Sequence, residues 1–353
     1  GSSIDLDDLR DRHELVFLGL GAQGARSLGI PGEEGPGVLS GIDYLQRRKE
    51  GSGSLRGSRV IVIGGGNTAI DAARSARRDG GTVTVVYRRS ENEMPAAAHE
   101  VEDARAEGIE FRFLLSPIEI VHEHGNVHHV EVQPMRLGEP DEQGRRRPVP
   151  LVGLSQTLLA DVVIVAVAQS PDWHGMDAVA VAREWLDTRA DGKLADDVWA
   201  GGDDRGPGIA AAAIAQGRLA AEAAHAELRG LPRPGTEEQR KPVDRASVRT
   251  DYFERSTPGD LPRRPRDEWL ADPEKEIDQT ISAEKAFEEA GRCMSCGLCF
   301  DCQQCFMYCN GSGFTRIEET RPGSYFALAL DACEGCGKCI EVCPCGYLEA
   351  REE

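Results

Sequence analysis

The sequence predicts an α/β chain that ends in a small cysteine-bearing α+β domain, and three observations carry that prediction. A short β-branched run, Arg59–Ile63, turns through Gly64-Gly65-Gly66-Asn67-Thr68-Ala69 into a helical stretch, followed by a second apolar run at 82–87. Further apolar strands lie on either side of this unit, at 15–18 and 161–169. All eleven cysteines fall between Cys293 and Cys345.

Taken in order, the first strand runs from Leu15 into Gly19 and Gly21, glycines that let the backbone approach a ligand closely. The strands at 59–63 and 82–87, with a helix over 70–78 stopped by Gly80-Gly81, make a βαβ unit. Its G-x-G-x-x-A turn is the dinucleotide-binding fingerprint in its required context. Gly64 permits the tight turn, Gly66 lets the backbone meet a pyrophosphate, and Ala69 lets helix and strand pack closely. Gly65, Asn67 and Thr68 complete the turn, and the helix start offers free N–H groups and a positive dipole end. After the second strand a carboxylate would select NAD, whereas arginines would bind the 2′-phosphate of NADP. The chain has Arg88 and Arg89 there, so NADP(H) is favoured over NAD(H). A solvated strand end is the plainer reading of the same arginines.

His122, His124, His128 and His129 resemble a metal tract, but Gly125-Asn126 reads as the turn of a hairpin joining 117–122 to 127–133. The charged stretch 139–147 reads as a solvated loop. The strand at 198–200 leads through Gly202 and Asp203 into a small-residue helix over 209–229. There Asp203 suits a ribityl hydroxyl, and the helix start at Ile209 suits a pyrophosphate or flavin carbonyl. By spacing alone this is equally one more βα turn. Residues 231–290, rich in proline, arginine and acids, read as a surface linker, with Ser282 capping a short helix over 283–290.

Two runs dominate the end of the chain: Cys299-x2-Cys302-x2-Cys305-x3-Cys309 and Cys333-x2-Cys336-x2-Cys339-x3-Cys343-Pro344. This is the bacterial two-cluster ferredoxin spacing, in which each run gives three thiolates to one cubane and its fourth to the other. Cys299, Cys302, Cys305 and Cys343 are therefore expected to hold one [4Fe–4S] cluster, and Cys333, Cys336, Cys339 and Cys309 the second. Disulfides suit small secreted domains, and zinc would use paired CxxC motifs. Cys293, Cys296 and Cys345 are left over; the first two continue the x2 rhythm, so the register of the first run stays open to a shift. Residues 318–321 with Pro322-Gly323 read as a turn between the cluster loops.

A formal charge of −19 argues against nucleic acid and suits docking to a basic redox partner. No run of about 18 apolar residues predicts a membrane span. Oxygen-labile clusters imply a reducing compartment, the cytoplasm. No Ser/His/Asp or Cys/His nucleophile set emerges and no catalytic side chain is assigned, because hydride and electron transfer chemistry resides in cofactors.

Segments 15–23, 29–33, 37–38, 60–71, 87–89, 93–96, 107–108 and 201–218 together resemble the small subunit of glutamate synthase and its NAD(P)H-dependent iron–sulfur flavoprotein relatives. The resemblance implies a Rossmann-like NAD(P) domain inserted in an FAD domain, followed by a two-cluster ferredoxin domain. The implied boundaries are 1–54 and 161–230 for the two parts of a partial FAD-binding domain, 55–160 for the NAD(P) domain, 231–290 for the linker and 291–353 for the clusters. Gly21, Gly202, Asp203 and Ile209 would then help hold FAD. Such proteins begin with an iron–sulfur helical region and a first G-x-G-x-x-G; this chain shows neither, so it is expected to be the C-terminal part of a longer protein with an incomplete FAD site. Residues 187–197 are also fewer than the family usually shows. The stretch from Cys299 to Cys309, with Cys343-Pro344-Cys345-Gly346, is most similar to the flavoprotein accompanying dissimilatory sulfite reductase, the DsrL type. The expectation is an NAD(P)H:acceptor oxidoreductase that passes electrons through FAD and two [4Fe–4S] clusters to a redox partner, dissimilatory sulfite reductase by this resemblance. A glutamate synthase-like electron donor, a non-catalytic electron-transfer subunit and a homo-oligomer are the alternatives carried with it.

Overall fold

The computed structural model describes residues 5–51, 54–141, 144–174, 176, 184–232, 243–321 and 323–350. The chain divides into two compact units, 1–234 with 265–275, and 235–264 with 276–353.

In the first unit, α1 (Leu6–Arg12) precedes β1 (Val16–Leu18) and β2 (Gly24–Ala25). Then come β3 (Val38–Ser40), α2 (Gly41–Lys49), β4 (Arg59–Ile63), α3 (Asn67–Arg78), β5 (Thr82–Tyr87), α4 (Ala98–Ala106) and β6 (Glu110–Phe113). Strands β7 (Leu115–Glu123), β8 (Asn126–Pro140), β9 (Arg146–Pro150), β10 (Gln156–Leu159), β11 (Val162–Val165) and β12 (Gln169–Ser170) follow. Last are β13 (Lys193–Ala195), β14 (Val198–Ala200) and α5 (Ala210–Arg229).

The centre is a five-stranded, all-parallel sheet in the order β3-β11-β4-β5-β6. Its strands are apolar on both faces because both are covered. Val60, Val62, Val83, Val85 and Ile164 pack against α2, α3 and α4 through Tyr44, Ile70, Ala73, Val101 and Ala104. On the opposite face, Ile61, Ile63, Val86 and Val163 meet Leu115, Ile120, Val130 and Val132 of the antiparallel sheet β10-β8-β7. The smaller sheet β1-β14-β13 packs Val16, Leu18 and Val198 with Leu6 and Leu186, while Trp199 packs against Ala220 and Ala224 of α5. Strands β2 and β12 pair antiparallel, at the two points where the chain passes between these sheets.

Several expectations need correction. The hairpin turn lies at His124-Gly125, one residue earlier than expected: both have positive φ (52° and 81°), and Glu123 pairs with Asn126. A two-residue turn of that type needs two left-handed residues in succession, which fixes the register. The stretch 139–147 is no free loop. Strand β8 continues to Pro140 and pairs with Arg146 of β9, and Asp141 and Arg145 close the turn; residues 142–143 lie outside the described residues. Nor is 231–290 simply a surface linker. Residues 265–275 belong to the first unit, where Trp269 is 2 % exposed and Glu274 pairs with Arg48.

In the second unit, α6 (Ala283–Gly291) is N-capped by Ser282, whose hydroxyl accepts from the Lys285 N–H at 3.1 Å. Then follow α7 (Gln304–Met307), β15 (Phe314–Arg321), β16 (Ser324–Leu328) and α8 (Lys338–Val342). Residues 318–321, expected as a turn, lie in β15, which pairs antiparallel with β16; Pro322 lies outside the described residues. Residues 243–249 meet the cysteine region: the Val243 side chain lies against Gly297 and Gly346, and the Arg249 N–H donates to the Pro344 carbonyl at 3.0 Å. Among the described residues no helix is long and apolar enough to cross a membrane.

Candidate functional site

The first unit carries a cleft of about 880 Å³ at the C-terminal ends of the parallel strands, where α/β sheets place their ligands. It is lined by Gly64, Gly65, Gly66, Asn67, Thr68, Arg88, Arg89 and Asp203. The turn after β4 explains the local sequence. Gly64 adopts φ 147°, and a Cβ there would sit 2.2 Å from the Ala166 carbonyl oxygen, so no other residue fits. Gly66 differs: a Cβ on it would meet nothing nearer than Pro95 at 4.0 Å. Its smallness serves the open side of the turn, as a cradle for phosphate requires. No side chain caps the start of α3, so its leading N–H groups remain available for an anion. Ala69 is fully buried beneath the turn and packs rather than contacts.

The structure separates the two arginines that the sequence treats alike. Arg88 is exposed in the cleft wall. Arg89 is 8 % exposed; it donates to the Arg146 carbonyl at 2.9 Å and pairs with Asp141 at 3.2 Å. Arg89 thus anchors the β8–β9 hairpin, which brings Arg145 to the cleft lining. Arg145 was missed because a charged, glycine-containing stretch carries no periodic signal.

Asp203 accepts from the Gly208 N–H at 3.1 Å, shaping the turn before α5, whose start at the exposed Ile209 also lacks a side-chain cap. Gly21 and Gly202 do not line the cleft. The Leu20 and Gly21 N–H groups donate to Asp204 at 3.0 and 2.5 Å, and Gly202 donates to Gln216 at 2.8 Å. Asp204 is wholly buried, and burial pushes its carboxyl above the ordinary value despite these two donors. The Gly-Asp-Asp doublet was the only trace of it in the sequence. Trp185 also lines the cleft and was not foreseen.

In the second unit, Cys299, Cys302, Cys305 and Cys343 line one cavity of about 200 Å³, walled by Phe300, Phe314, Phe326, Leu328 and Leu348. Burial pushes the Cys305 thiol up to about 11 and raises Cys302 as well. Cys345, a leftover in the spacing, joins this cavity with its Sγ 3.8 Å from that of Cys343; the hydrogen bond lowers the Cys343 pKa and raises that of Cys345. Cys293 and Cys296 are exposed and do not line it. Of the other run, Cys333 and Cys336 are exposed and Cys339 and Cys309 half-buried, with the Gly313 N–H donating to Cys309 Sγ at 3.3 Å. Burial raises Cys339, and the neighbouring Cys333 and Cys336 raise it further. Among the described residues no three His, Cys, Asp or Glu side chains converge on a single metal ion. Three of the four histidines are engaged elsewhere: His122 with the Pro36 carbonyl at 3.2 Å, and His128 with His129 at 2.8 Å between ring nitrogens, while His124 forms the hairpin turn.

The profile of the pyridine nucleotide-disulphide oxidoreductases matches residues 7–217. The β subunit of the NADP(+)-dependent formate dehydrogenase of Moorella thermoacetica is 37% identical over 254 residues, 68% of this chain and 35% of that protein. The glutamate synthase [NADPH] small chain of Escherichia coli (strain K12) is 36% identical over 247 residues, 63% of this chain and 52% of that one. The β subunit of NADPH-Fe(3+) oxidoreductase of Geobacter sulfurreducens (strain ATCC 51573 / DSM 12127 / PCA) is 43% identical over 177 residues, 49% of this chain and 26% of that one. The chain thus spans about a quarter to a half of the length of these curated relatives. Mycobacterium tuberculosis FprA, solved with NADPH, shares the fold with a TM-score of 0.52 at 22% identity, over 64% of this chain and 66% of that one. With a Rossmann-like α/β core, a glycine turn at its switch point and a family profile over most of the first unit, the chain belongs to the pyridine nucleotide-disulphide oxidoreductase family.

Proposed function

We propose that the chain is the nicotinamide-accepting and electron-exporting part of an iron–sulfur flavoprotein, an NAD(P)H:acceptor oxidoreductase. The observation that carries this reading is the pairing, in one chain, of the glycine-turn cleft with a cavity lined by five thiols. When bound, flavin and [4Fe–4S] groups supply two-electron hydride acceptance and its release as single electrons. The residues do the rest. The turn 64–66 and the start of α3 hold the pyrophosphate, with Asn67 and Thr68 at the rim. Arg88 meets the 2′-phosphate of NADP(H), and Arg89 fixes the hairpin that completes the wall. Asp203 and the uncapped start of α5 offer an acceptor and donors to one side of FAD, with Gly21 held by Asp204.

In this reading 55–160 is the NAD(P) domain, flanked by FAD-binding parts at 1–54 and 161–230, and 291–353 is the cluster domain. Cys299, Cys302, Cys305 and Cys343 hold one cluster; Cys333, Cys336, Cys339 and Cys309 hold the other. NADPH appears in the names of several relatives, which supports NADP over NAD, and "subunit" or "small chain" in those names supports a protein acceptor. The acceptor we infer is dissimilatory sulfite reductase, on the likeness of the segment from Cys299 to Cys309, and the reducing cytoplasm is the compartment that such clusters suit. The full-length protein, purified without oxygen, should lose flavin and cluster absorbance on mixing with NADPH. Absence of bleaching with both NADPH and NADH overturns the reading.

A further inference from the structure

The two thiol sets meet solvent differently, and the surface around the second set has a definite chemical character. Cys333 and Cys336 are exposed, and the loop that carries them has no packing over Gly335 or Gly337. The 309–313 loop, which starts at Cys309, lies against 329–334: the Ala329 N–H donates to the Gly313 carbonyl at 2.8 Å, and Gly311 abuts Ala332 and Glu334. Large apolar side chains within three residues of Cys309, Cys333 and Cys339 stand in the open. Leu330 is 77% exposed, Met307 71% and Ile340 36%. Single exposed apolar residues need no explanation, but several that each stand beside one of this set of thiols in the chain do. Nearby in the chain stand the exposed carboxylates Asp331, Glu334 and Glu341, against Lys338, which pairs with Glu341 at 3.0 Å, and Arg249, which Glu341 also influences and which pairs with Asp251.

We propose that this face is the port through which the chain exchanges electrons with its protein partner. The partner it fits is a redox protein that presents an apolar centre ringed by lysines and arginines. The inference rests on the iron–sulfur reading above and deepens it by naming the terminal thiol set and the partner's chemistry. Charge complementarity selects the occupant. Three carboxylates around an apolar centre repel nucleic acid and anionic membrane, and attract a basic protein surface. Placement selects the cluster: the 299/302/305/343 set is enclosed by aromatic and aliphatic side chains, whereas the 309/333/336/339 set opens onto this face. Redox encounters use small, transient interfaces, so a compact patch is sufficient.

The test uses the purified full chain with oxidised and reduced cytochrome c as a basic single-electron probe. Carbodiimide treatment of the mixture should crosslink the probe at Asp331, Glu334 or Glu341. By titration calorimetry at low salt, D331K/E334K/E341K should weaken probe binding about tenfold, and the difference should shrink at high ionic strength. A control with the same charge change on exposed acids elsewhere, E14K/E102K/E119K, should weaken it less than about twofold. With clusters pre-reduced by dithionite, electron transfer to the probe should slow in parallel. Leu330→Glu separates apolar contact from charge, since added negative charge alone would speed transfer and loss of an apolar contact slows it. Equal effects of the two triple variants, crosslinks confined to other acids, or crosslinks between two copies of the chain at these residues each overturn the port. If dithionite-reduced protein shows the expected pattern but NADPH bleaches nothing, the nicotinamide reading fails and the port stands. If the purified protein holds no iron, both fall.

Discussion

The two cysteine runs have the same spacing and end in opposite environments. Around Cys299, Cys302, Cys305 and Cys343 the chain builds an apolar wall from Phe314, Phe326 and Leu328 of the β15–β16 hairpin and Leu348 beyond α8. Around Cys333 and Cys336 no such wall stands among the described residues, and left-handed Gly335 and Gly337 have no described atom packed over them. The same spacing therefore occurs in two surroundings, and the segments around each run decide how wet its thiols are. Solvent exposure and hydrogen bonding to sulfur are levers on cluster potential, so one motif written twice can yield two unlike redox centres.

The comparison is broken most directly by removing one ligand from each set. In protein that carries both clusters, Cys343→Ser and Cys336→Ser should each lower iron from about eight to about four atoms per chain. The enclosed set also organises a core, so Cys343→Ser should reduce Tm by roughly 10 °C or more, and Cys336→Ser by less than about 5 °C. Equal losses in thermal denaturation would show that enclosure contributes nothing to the fold. A smaller effect tests the wall itself. Phe314 is buried, and Phe314→Ala should cost about 3 kcal/mol and speed chelator-driven iron loss from the enclosed set, leaving the exposed set unchanged. Iron release that speeds equally from both sets, followed by absorbance under a chelator, would erase the distinction. Ser282→Ala should have the smallest effect, about 1 kcal/mol from loss of the α6 cap, with iron content and release unaltered. A change in iron partition in that variant would mean that general destabilisation, not local enclosure, separates the sets.

Much of the first unit was legible in the sequence because its signals are local. The β-branched runs, the glycine turn and the alanine-rich helix agree at every level, and the observed Arg59–Ile63 and Thr82–Tyr87 strands follow the pattern residue for residue. The antiparallel sheet that covers the other face was visible only as a hairpin, because β10 joins β8 from far along the chain. The β8–β9 arm escaped because its order comes from the Arg89–Asp141 contact, and ion pairs between distant residues leave no periodicity. Trp269 sits among prolines and arginines, a composition that reads as linker although the indole is buried. In the cysteine region Cys299, Cys302, Cys305 and Cys343 line one cavity, but Cys345, which lies off the rhythm, lines it as well, beside Cys343. The charged β15 masked a strand, since its side chains point mostly to solvent and its pairing lies with β16.

The excursion at 265–275 has a practical consequence for anyone who wishes to move the cysteine region into another protein. The chain leaves the second unit at 265, contributes Trp269 and Glu274 to the first, and rejoins the second at 276. Residues 243–249, upstream of that detour, hold Gly297, Pro344 and Gly346 in place. The cysteine region therefore packs with chain from before the detour as well as after it. A graft that starts at 291 would discard that support, and after a single protease nick within the detour 243–264 and 276–350 would still pack as one unit.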